Sequence, residues 1–467
     1  MITTNLSRGI SRSIFFRLWV RAPRTSMVSM LQACYEANSS VYEYPAAADA
    51  PRPLFGRVIH YFTAQATDPV LTKEPFSALE RRAVLGLASL YCLRMLGLFM
   101  VLPLFAVYAQ ELAGATPASI GLALGAYGLT QAALQVPLGW LSDQIGRKPV
   151  IVGGLSLLVI GSVVAAAADT LTGLAVGRLL QGSGAIASAT MALAADYTRV
   201  EQRTKASAII GASIGVSFAL ALVLGPVLAA WGGLPRVFEV TAVMGGLGLM
   251  VVLFWLPATP QFSDGGSAHI ADRERLSEAL WGRGLGVLYG SIFCLHLLLM
   301  AAFTAIPSVM AEQVGLATEY HAWMYLATLC GAIPGVAILV RRRREVDDHR
   351  PLLALTVVLT VLGLIVALGA VSLTLLGVGL VLFFAGFTAL ETILPALVSM
   401  FAPLSLRGTA MGIFSSAQFL GVFTGGVLGG SALQLGGTLG LVAVLLGLTA
   451  IWLLGLWRFG RAPVAAV

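Results

Sequence analysis

From Ala83 to the end of the chain, long apolar runs alternate with short breaks of charged residues, glycine and proline. The runs fall near 83–109, 118–141, 150–168, 171–195, 206–231, 237–256, 285–310, 321–340, 352–371, 373–401, 409–434 and 438–456, the join near Val371 and Ser372 being the least marked. A helix needs about 20 apolar residues to cross a bilayer, so each run predicts one crossing. The pattern therefore predicts an all-α integral membrane protein with twelve transmembrane helices. Composition agrees: 58% of residues are hydrophobic, 11% are charged and the mean hydropathy is +0.87. Soluble chains carry roughly 45–50% apolar and about 25% charged residues.

The chain also repeats. Pro103 and Pro307, Gly182 and Gly386, Arg203 and Arg407, and Gly225 and Gly429 are each 204 residues apart. They lie in the first, fourth and fifth runs of two successive sets of six, which predicts two pseudo-symmetric six-helix halves. Six crossings return the chain to the side it started from, so the halves form the parallel repeat of transporters that rock about a central site. The expected divisions are a first half at 81–256, a cytoplasmic linker at 257–284, a second half at 285–458 and a short tail at 459–467. Residues 1–80 stand outside the pattern. There Arg8, Arg12, Arg17, Arg21 and Arg24 precede the first acid, Glu36, as in a targeting segment or a surface-lying basic helix. The plainer reading is a poorly ordered basic tail or a misplaced start codon.

Charge sets the orientation. One set of loops carries Arg147, Lys148, Arg199, Arg203, Lys205, Arg273, Arg275, Arg283, the run Arg341 to Arg344, Arg350, Arg407, Arg458 and Arg461, whereas the alternate set carries Arg236 alone. Cytoplasmic loops are the basic ones, which predicts cytoplasmic N- and C-termini and a multi-pass protein of a bacterial inner membrane. The net charge of +7 lies in these turns, so membrane orientation accounts for it without a nucleic-acid partner. Cys34, Cys92, Cys294 and Cys330 are too scattered for a disulfide framework or a zinc site. No cofactor or metal is expected, and the partners are the lipid bilayer, a small-molecule substrate and protons, with the chain acting as a monomer.

Charge within the bilayer is costly and by default suggests function. Arg94, Arg178, His296 and Glu391 fall inside the first, fourth, seventh and tenth runs. Glu391 is the one acid near mid-span. A carboxyl withdrawn from water there can take up and release a proton, although a structural pair with an arginine is the alternative. His296 is either a titrating group or a hydrogen-bonded packing residue. Arg178 keeps its proton and can hold an anion or tune a neighbour. Gln131, Gln135 and Gln418 are candidates for the cavity wall. Glycines four apart at Gly121/Gly125, Gly211/Gly215, Gly331/Gly335 and Gly421/Gly425/Gly429 predict close helix contacts suited to sliding between halves. GASIG at 211–215 also matches the G-x-S-x-G of serine hydrolases through Ser213, but that motif needs a strand-to-helix elbow and here lies in an apolar helix.

The segment GWLSDQIGRKPV at 139–150, between the second and third runs, resembles the loop signature of the major facilitator superfamily through Gly139, Leu141, Asp143, Gly146, Arg147 and Lys148. RLLQGSG in the fourth run is similar to that family's R-x-x-Q-G through Arg178, Gln181 and Gly182. The resemblance covers roughly 83–458 and implies the major facilitator fold. Within the family the chain looks most like bacterial drug:proton antiporters, whose fifth helix ends G-P-x-x-G-G. Gly225 and Pro226 match, while Ala229 and Ala230 replace the last two glycines. Gly211, Gly215, Gly225 and Pro226 are then the packing positions of that helix. The resemblance further implies that Asp143 meets the N-terminus of the eleventh helix near Gly408, that Arg147 pairs with Asp196, and that this turn latches the cytoplasmic side shut in the outward-open state.

These readings together predict a secondary transporter, a proton-coupled exporter of small amphipathic molecules or drugs working by alternating access. A facilitator for a sugar or metabolite is the alternative, and an intramembrane serine hydrolase using Ser213 is the remote one. The family likeness begins near TKEPFSALERRA, and Val70 and Leu71 stand just before it, where an alternative start codon would be read internally as Val or Leu. The native chain is therefore expected to start near Val70 or Leu71. Mass spectrometry of the native protein checks this: peptides covering Ile14 to Arg57 in good yield would refute it.

Overall fold

The structure is a computed structural model that describes residues 75–257, 282–343, 348–402 and 407–459. The basic extension before residue 75, residues 258–281 of the expected linker and the tail from residue 460 lie outside the described residues. Those described are helical almost throughout, with one isolated bridge between Ala113 and Thr170.

The helices follow the apolar runs. They are α1 (Ala78–Phe99, resuming briefly at Phe105–Tyr108), α2 (Pro117–Ile145), α3 (Arg147–Ala166) and α4 (Leu171–Ser183, continuing as Ala187–Tyr197). A single helical stretch, Arg203–Met250, is broken at Gly232 and Gly233 into α5 (203–231) and α6 (234–250). The second half contains α7 (Leu285–Ser308), α8 (His321–Arg343), α9 (Arg350–Leu368) and α10 (Leu373–Phe401). Another stretch, Arg407–Phe459, is broken at Gly437 into α11 (407–436) and α12 (438–459). Gly233 and Gly437 have φ of +66° and +58°, left-handed values that glycine adopts without a Cβ penalty. Several polar breaks supply an N-cap. Ser77 and Thr116 form capping boxes with Glu80 and Ser119, and Thr170 and Ser372 accept from Gly173 and Leu375, satisfying amides that begin a helix. The Ser372 cap makes the weakly marked division after Val371 a real one.

By length and composition, eight of the described helices can cross a membrane, the joined pairs α5–α6 and α11–α12 counting once each. α2 and α4 fall short for different reasons. α2 carries Gln131, Gln135 and four glycines along its body, while α4 is interrupted at residues 184–186.

Glycine governs how the helices pack. A Cβ on Gly161 of α3 would come within 2.6 Å of the Gln181 amide and 2.7 Å of the Gly177 carbonyl on α4. In the second half Gly363 of α9 stands in the same relation to Phe383 and Gly379 of α10, 202 residues later. Gly225 of α5 backs onto the Met100 carbonyl at the end of α1, and Gly429 of α11 onto Ala301 and Thr304 of α7. Both halves thus repeat the same two seams. The duplication marked by the 204-residue spacing corresponds to repeated backbone contacts.

The close approaches between the halves lie away from the basic loops. Gly121 and Gly125 of α2 pack on the backbone of Gly426, Gly430 and Phe423 of α11, and Gly128 packs on Phe419. At the same end the Ala118 amide donates to Gln434 (3.2 Å) and Gln110 to Ser308 (3.3 Å). The paired glycines of TGGVLGG serve two neighbours: Gly425 and Gly429 face α7, and Gly426 and Gly430 face α2. By contrast, a Cβ on Gly211, Gly215 or Gly412 would meet nothing within 4 Å.

A side chain at Gly426 would collide with the Gly121 carbonyl. The Gly426→Val variant is therefore expected to loosen the α2–α11 contact at a cost of about 1–3 kcal/mol, the usual range for overpacking. The checks are a lower unfolding midpoint in detergent and faster thiol labelling of a cysteine introduced at Gln434. An unchanged midpoint and labelling rate would count against this account of the closed end.

Candidate functional site

Two polar clusters occupy the middle of the bundle, one in each half. In the first half, Arg94 reaches from α1 to the break in α4, where its Nη2 donates to the Gly184 carbonyl (3.0 Å) and to Gln131 Oε1 on α2 (2.9 Å). Gln131 passes a hydrogen bond to Gln135 (3.1 Å), and Ser188 donates to the Gln135 carbonyl (3.2 Å). Tyr91 ties α1 to the Ala187 carbonyl beyond the break (2.9 Å). Arg94, Gln131 and Gln135 are all buried. The two glutamines expected on the cavity wall instead lie inside the first half, where their side-chain oxygens support a buried guanidinium and its neighbour.

Arg178 completes this cluster. Its Nη1 donates to Gln181 Oε1 (2.8 Å), Gln181 Nε2 donates to Ser162 Oγ (2.8 Å), and Ser162 donates to the Leu158 carbonyl (2.6 Å). The guanidinium also lies over the Tyr127 ring, 5.1 Å from its centroid, the favourable position for a cation over a π face. The R-x-x-Q spacing explains the first bond, because residues three apart on a helix are neighbours.

In the second half three side chains from three helices meet. Gln418 of α11 donates to His296 Nε2 on α7 (2.8 Å) and to Glu391 Oε1 on α10 (3.2 Å). His296 Nδ1 lies 3.2 Å from the Ile292 carbonyl of its own helix. A carbonyl can only accept, so Nδ1 carries the proton and Nε2 is left as the acceptor for Gln418. This is the neutral imidazole. Glu391 Oε2 stands 3.7 Å from His296 Nε2 and has no hydrogen-bond partner. The partners of Glu391 are thus a histidine and an amide, not the arginine of the structural alternative. An aromatic path joins the halves beside this cluster: His296 packs on Phe387 (5.8 Å between centroids), Phe387 on Phe218 (6.1 Å) and Phe218 on Phe99 (5.2 Å). Tyr127 packs edge-on to Phe419 (5.8 Å), the residue after Gln418.

At the basic end, Arg147 pairs with Asp143 within its own turn and approaches Asp196 at 3.5 Å. Ser142 accepts a further bond from Arg147 (2.8 Å). The Gly139 Cα faces Ser188, and Gly146, at φ +97°, ends α2 and permits the turn into α3. Lys148 donates to the Leu256 and Pro257 carbonyls at 3.3 and 2.5 Å. Arg199 binds Glu80 in the first turn of α1, with Nε 3.1 Å from Oε1.

The fifth-helix motif divides. Gly225 makes a close contact and Pro226 borders a small cleft with Pro103 and His321, but Gly211 and Gly215 face open space in this state. Ser213 donates to the Ile210 carbonyl (2.7 Å) within α5, on a helix and not on the elbow a nucleophile needs. Sequence reasoning did not single out Tyr127, Ser162, the Gly184 carbonyl, Phe218 or Phe387. Only Gln181 carried a signal, its place three residues after Arg178.

Comparison with known proteins follows from this arrangement. A family profile described as Major Facilitator Superfamily matches residues 87–396. The inner membrane transport protein YajR of Escherichia coli (strain K12) is 43% identical over 358 residues, covering 75% of this chain and 77% of that one. The multidrug resistance protein MdtH of Aeromonas salmonicida is 29% identical, covering 72% and 84%. A class G tetracycline resistance protein of Vibrio anguillarum is 29% identical over 44% of this chain and 53% of its own length. Among solved structures, an inward-facing, unoccupied bacterial homolog of the human lysosomal transporter Spinster superposes with a TM-score of 0.63 at 14% identity, covering 84% of this chain and all of that one.

Proposed function

The chain belongs to the major facilitator superfamily, a family of membrane transporters and not of enzymes, and we propose that within it this protein is a proton-coupled exporter of small amphipathic molecules in a bacterial inner membrane. The observation that carries the reading is the bridge from His296 through Gln418 to Glu391. With Gln418 donating, the bridge requires a neutral His296. A proton added at Nε2 would face the amide donors of Gln418, so the amide must either release the ring or turn its oxygen to it, and the bridge in its present form is lost. On release, the new N–H would turn to Glu391 Oε2, which stands 3.7 Å away without a partner. Proton uptake therefore exchanges this three-way bridge for a new set of contacts among α7, α10 and α11. Gln418 is followed by Phe419, which packs on α2 of the other half, so the exchange bears on the contact between halves.

The sidedness fits export. With the basic loops in the cytoplasm, the closed end faces outward and this is the inward-facing state, the state in which an antiporting exporter has released its proton and takes up substrate. Each proton entering down a potential of about 100 mV supplies about 2.3 kcal/mol, enough for a gradient of roughly fifty-fold. The names of the MdtH and tetracycline resistance relatives agree with export. In this reading Asp143, half-exposed beside Arg147, meets the positive end of α11 once the basic end closes. The monomer is the working unit of this cycle, with the halves at 81–256 and 285–458 as the moving bodies.

A growth screen of toxic compounds against cells overexpressing the protein identifies a substrate for transport assays. With it, Glu391→Gln is expected to abolish uphill efflux driven by a pH gradient in everted vesicles while leaving substrate binding in place. A variant that still builds a gradient when energised by pH alone would place the proton site elsewhere. Asp143→Asn is expected to slow transport strongly at unchanged membrane abundance, because the fault lies in switching and not in folding. Near-normal transport by that variant would remove the latch from the mechanism.

A further inference from the structure

The first half holds two cations without a counter-charge. Arg94 and Arg178 are each 1% exposed, and a guanidinium keeps its charge when buried. Among the described residues, the ion pairs of Asp and Glu are made with Arg147, Arg199, Arg236 and Arg350, Glu391 faces the neutral His296, and none of these acids reaches either arginine. Their partners are neutral: side-chain oxygens of glutamine, backbone carbonyls and the face of Tyr127. Arg94 is the less satisfied of the two: Nε and Nη1 are buried and short of a close hydrogen bond, and the further side chain that reaches the guanidinium, the Tyr127 hydroxyl, is neutral. A buried charge left in this condition calls for an anion.

The break in α4 points to the same chemistry. Beyond residues 184–186 the helix restarts as Ala187–Tyr197, and its N-cap residue, Ile186, offers no side-chain acceptor to the first-turn amides. A helix N-terminus favours negative charge, and broken helices of transporters turn such ends toward anionic substrate groups. Arg94 binds Gly184 in that break, so its Nε and Nη1 and the uncapped amides occur at one place. Among the described residues, the acids stand toward helix ends, apart from Glu391, which is engaged by Gln418 and His296 in the other half. None of these described acids supplies the anion.

We infer that the substrate is an amphipathic organic anion whose acidic head, a carboxylate, sulfonate or phosphonate, is recognised by Arg94 at the α4 break. The apolar body suits the aromatic path of Phe99, Phe218 and Phe387, which leads from α1 across to the second half. This rests on the exporter reading for the direction of transport but not for the recognition itself. It also strengthens the energetics: an anion leaving while a proton enters moves two positive charges inward, so the membrane potential acts on both.

Equilibrium binding to the full-length protein in lipid nanodiscs tests the inference with labelled 1-naphthoate as probe. The competitors are 1-naphthamide, 1-naphthylmethylammonium and sodium chloride. The wild type is expected to bind naphthoate and to discriminate against the amide and the ammonium by about tenfold or more, the scale of a hydrogen bond to a charged group. Arg94→Gln should lose that preference and Arg94→Lys should keep part of it. Absence of naphthoate binding to the wild type, equal affinity for naphthoate and naphthamide, or unchanged naphthoate affinity in Arg94→Gln would overturn the inference. So would complete displacement by chloride at concentrations equal to those of naphthoate, which would mark an inorganic anion site. The wild-type comparison needs no variant to fold, and binding without a gradient is decided whether or not efflux is proton-driven.

Discussion

Everything in this bundle depends on how closely two helices can approach when lipid offers no hydrophobic reward for doing so. Association in a bilayer rests on van der Waals contact and interhelical hydrogen bonds, and glycine brings backbones near enough for both. Gly161 and Gly177 join α3 to α4, and Gly363 and Gly379 join α9 to α10 in the same way. The doublets Gly425–Gly426 and Gly429–Gly430 place α11 against α7 on one side and α2 on the other. One helix thereby belongs both to its own half and to the boundary between halves. A shift of α11 cannot leave either neighbour undisturbed, which is what a helix carrying Gln418 needs if an event inside the second half is to reach the first.

The two halves share a packing plan and differ in chemistry. The first holds two guanidinium groups, Arg94 and Arg178, with glutamines, carbonyls and a tyrosine ring. The second gathers a histidine and a carboxyl side chain with an amide between them. Duplication supplied one scaffold twice. Guanidinium groups on one side and an imidazole with a carboxyl group on the other give the two copies of that scaffold different chemical contents.

Much of this was legible along the chain. Polar breaks marked the helix ends because Ser77, Thr116, Thr170 and Ser372 are capping residues, and the basic turns marked one end of the bundle. The candidates Arg94, Arg178, His296 and Glu391 announced themselves as charge in apolar runs. Their partners did not. Gln131 and Gln135 read as cavity residues because a glutamine on an apolar helix signals only that some polar group faces it, and periodicity does not say which. The α4 break escaped because residues 184–186, Gly-Ala-Ile, continue the apolar run that hydropathy sees, whereas the interruption lies in the backbone. Gly426 and Gly430 were hidden beside Gly425 and Gly429, since a spacing of four describes one helix face and doublets use two.

The turns at Gly232–Gly233 and Gly437 are so short that α5 with α6, and α11 with α12, run as almost continuous rods folded back on themselves. At the face opposite the basic loops, these joints project hardly any chain. An antibody or engineered binder raised against that face would find its footholds chiefly in the stretches joining α1 to α2 and α7 to α8. Those two stretches carry the epitopes through which one conformation could be trapped from outside.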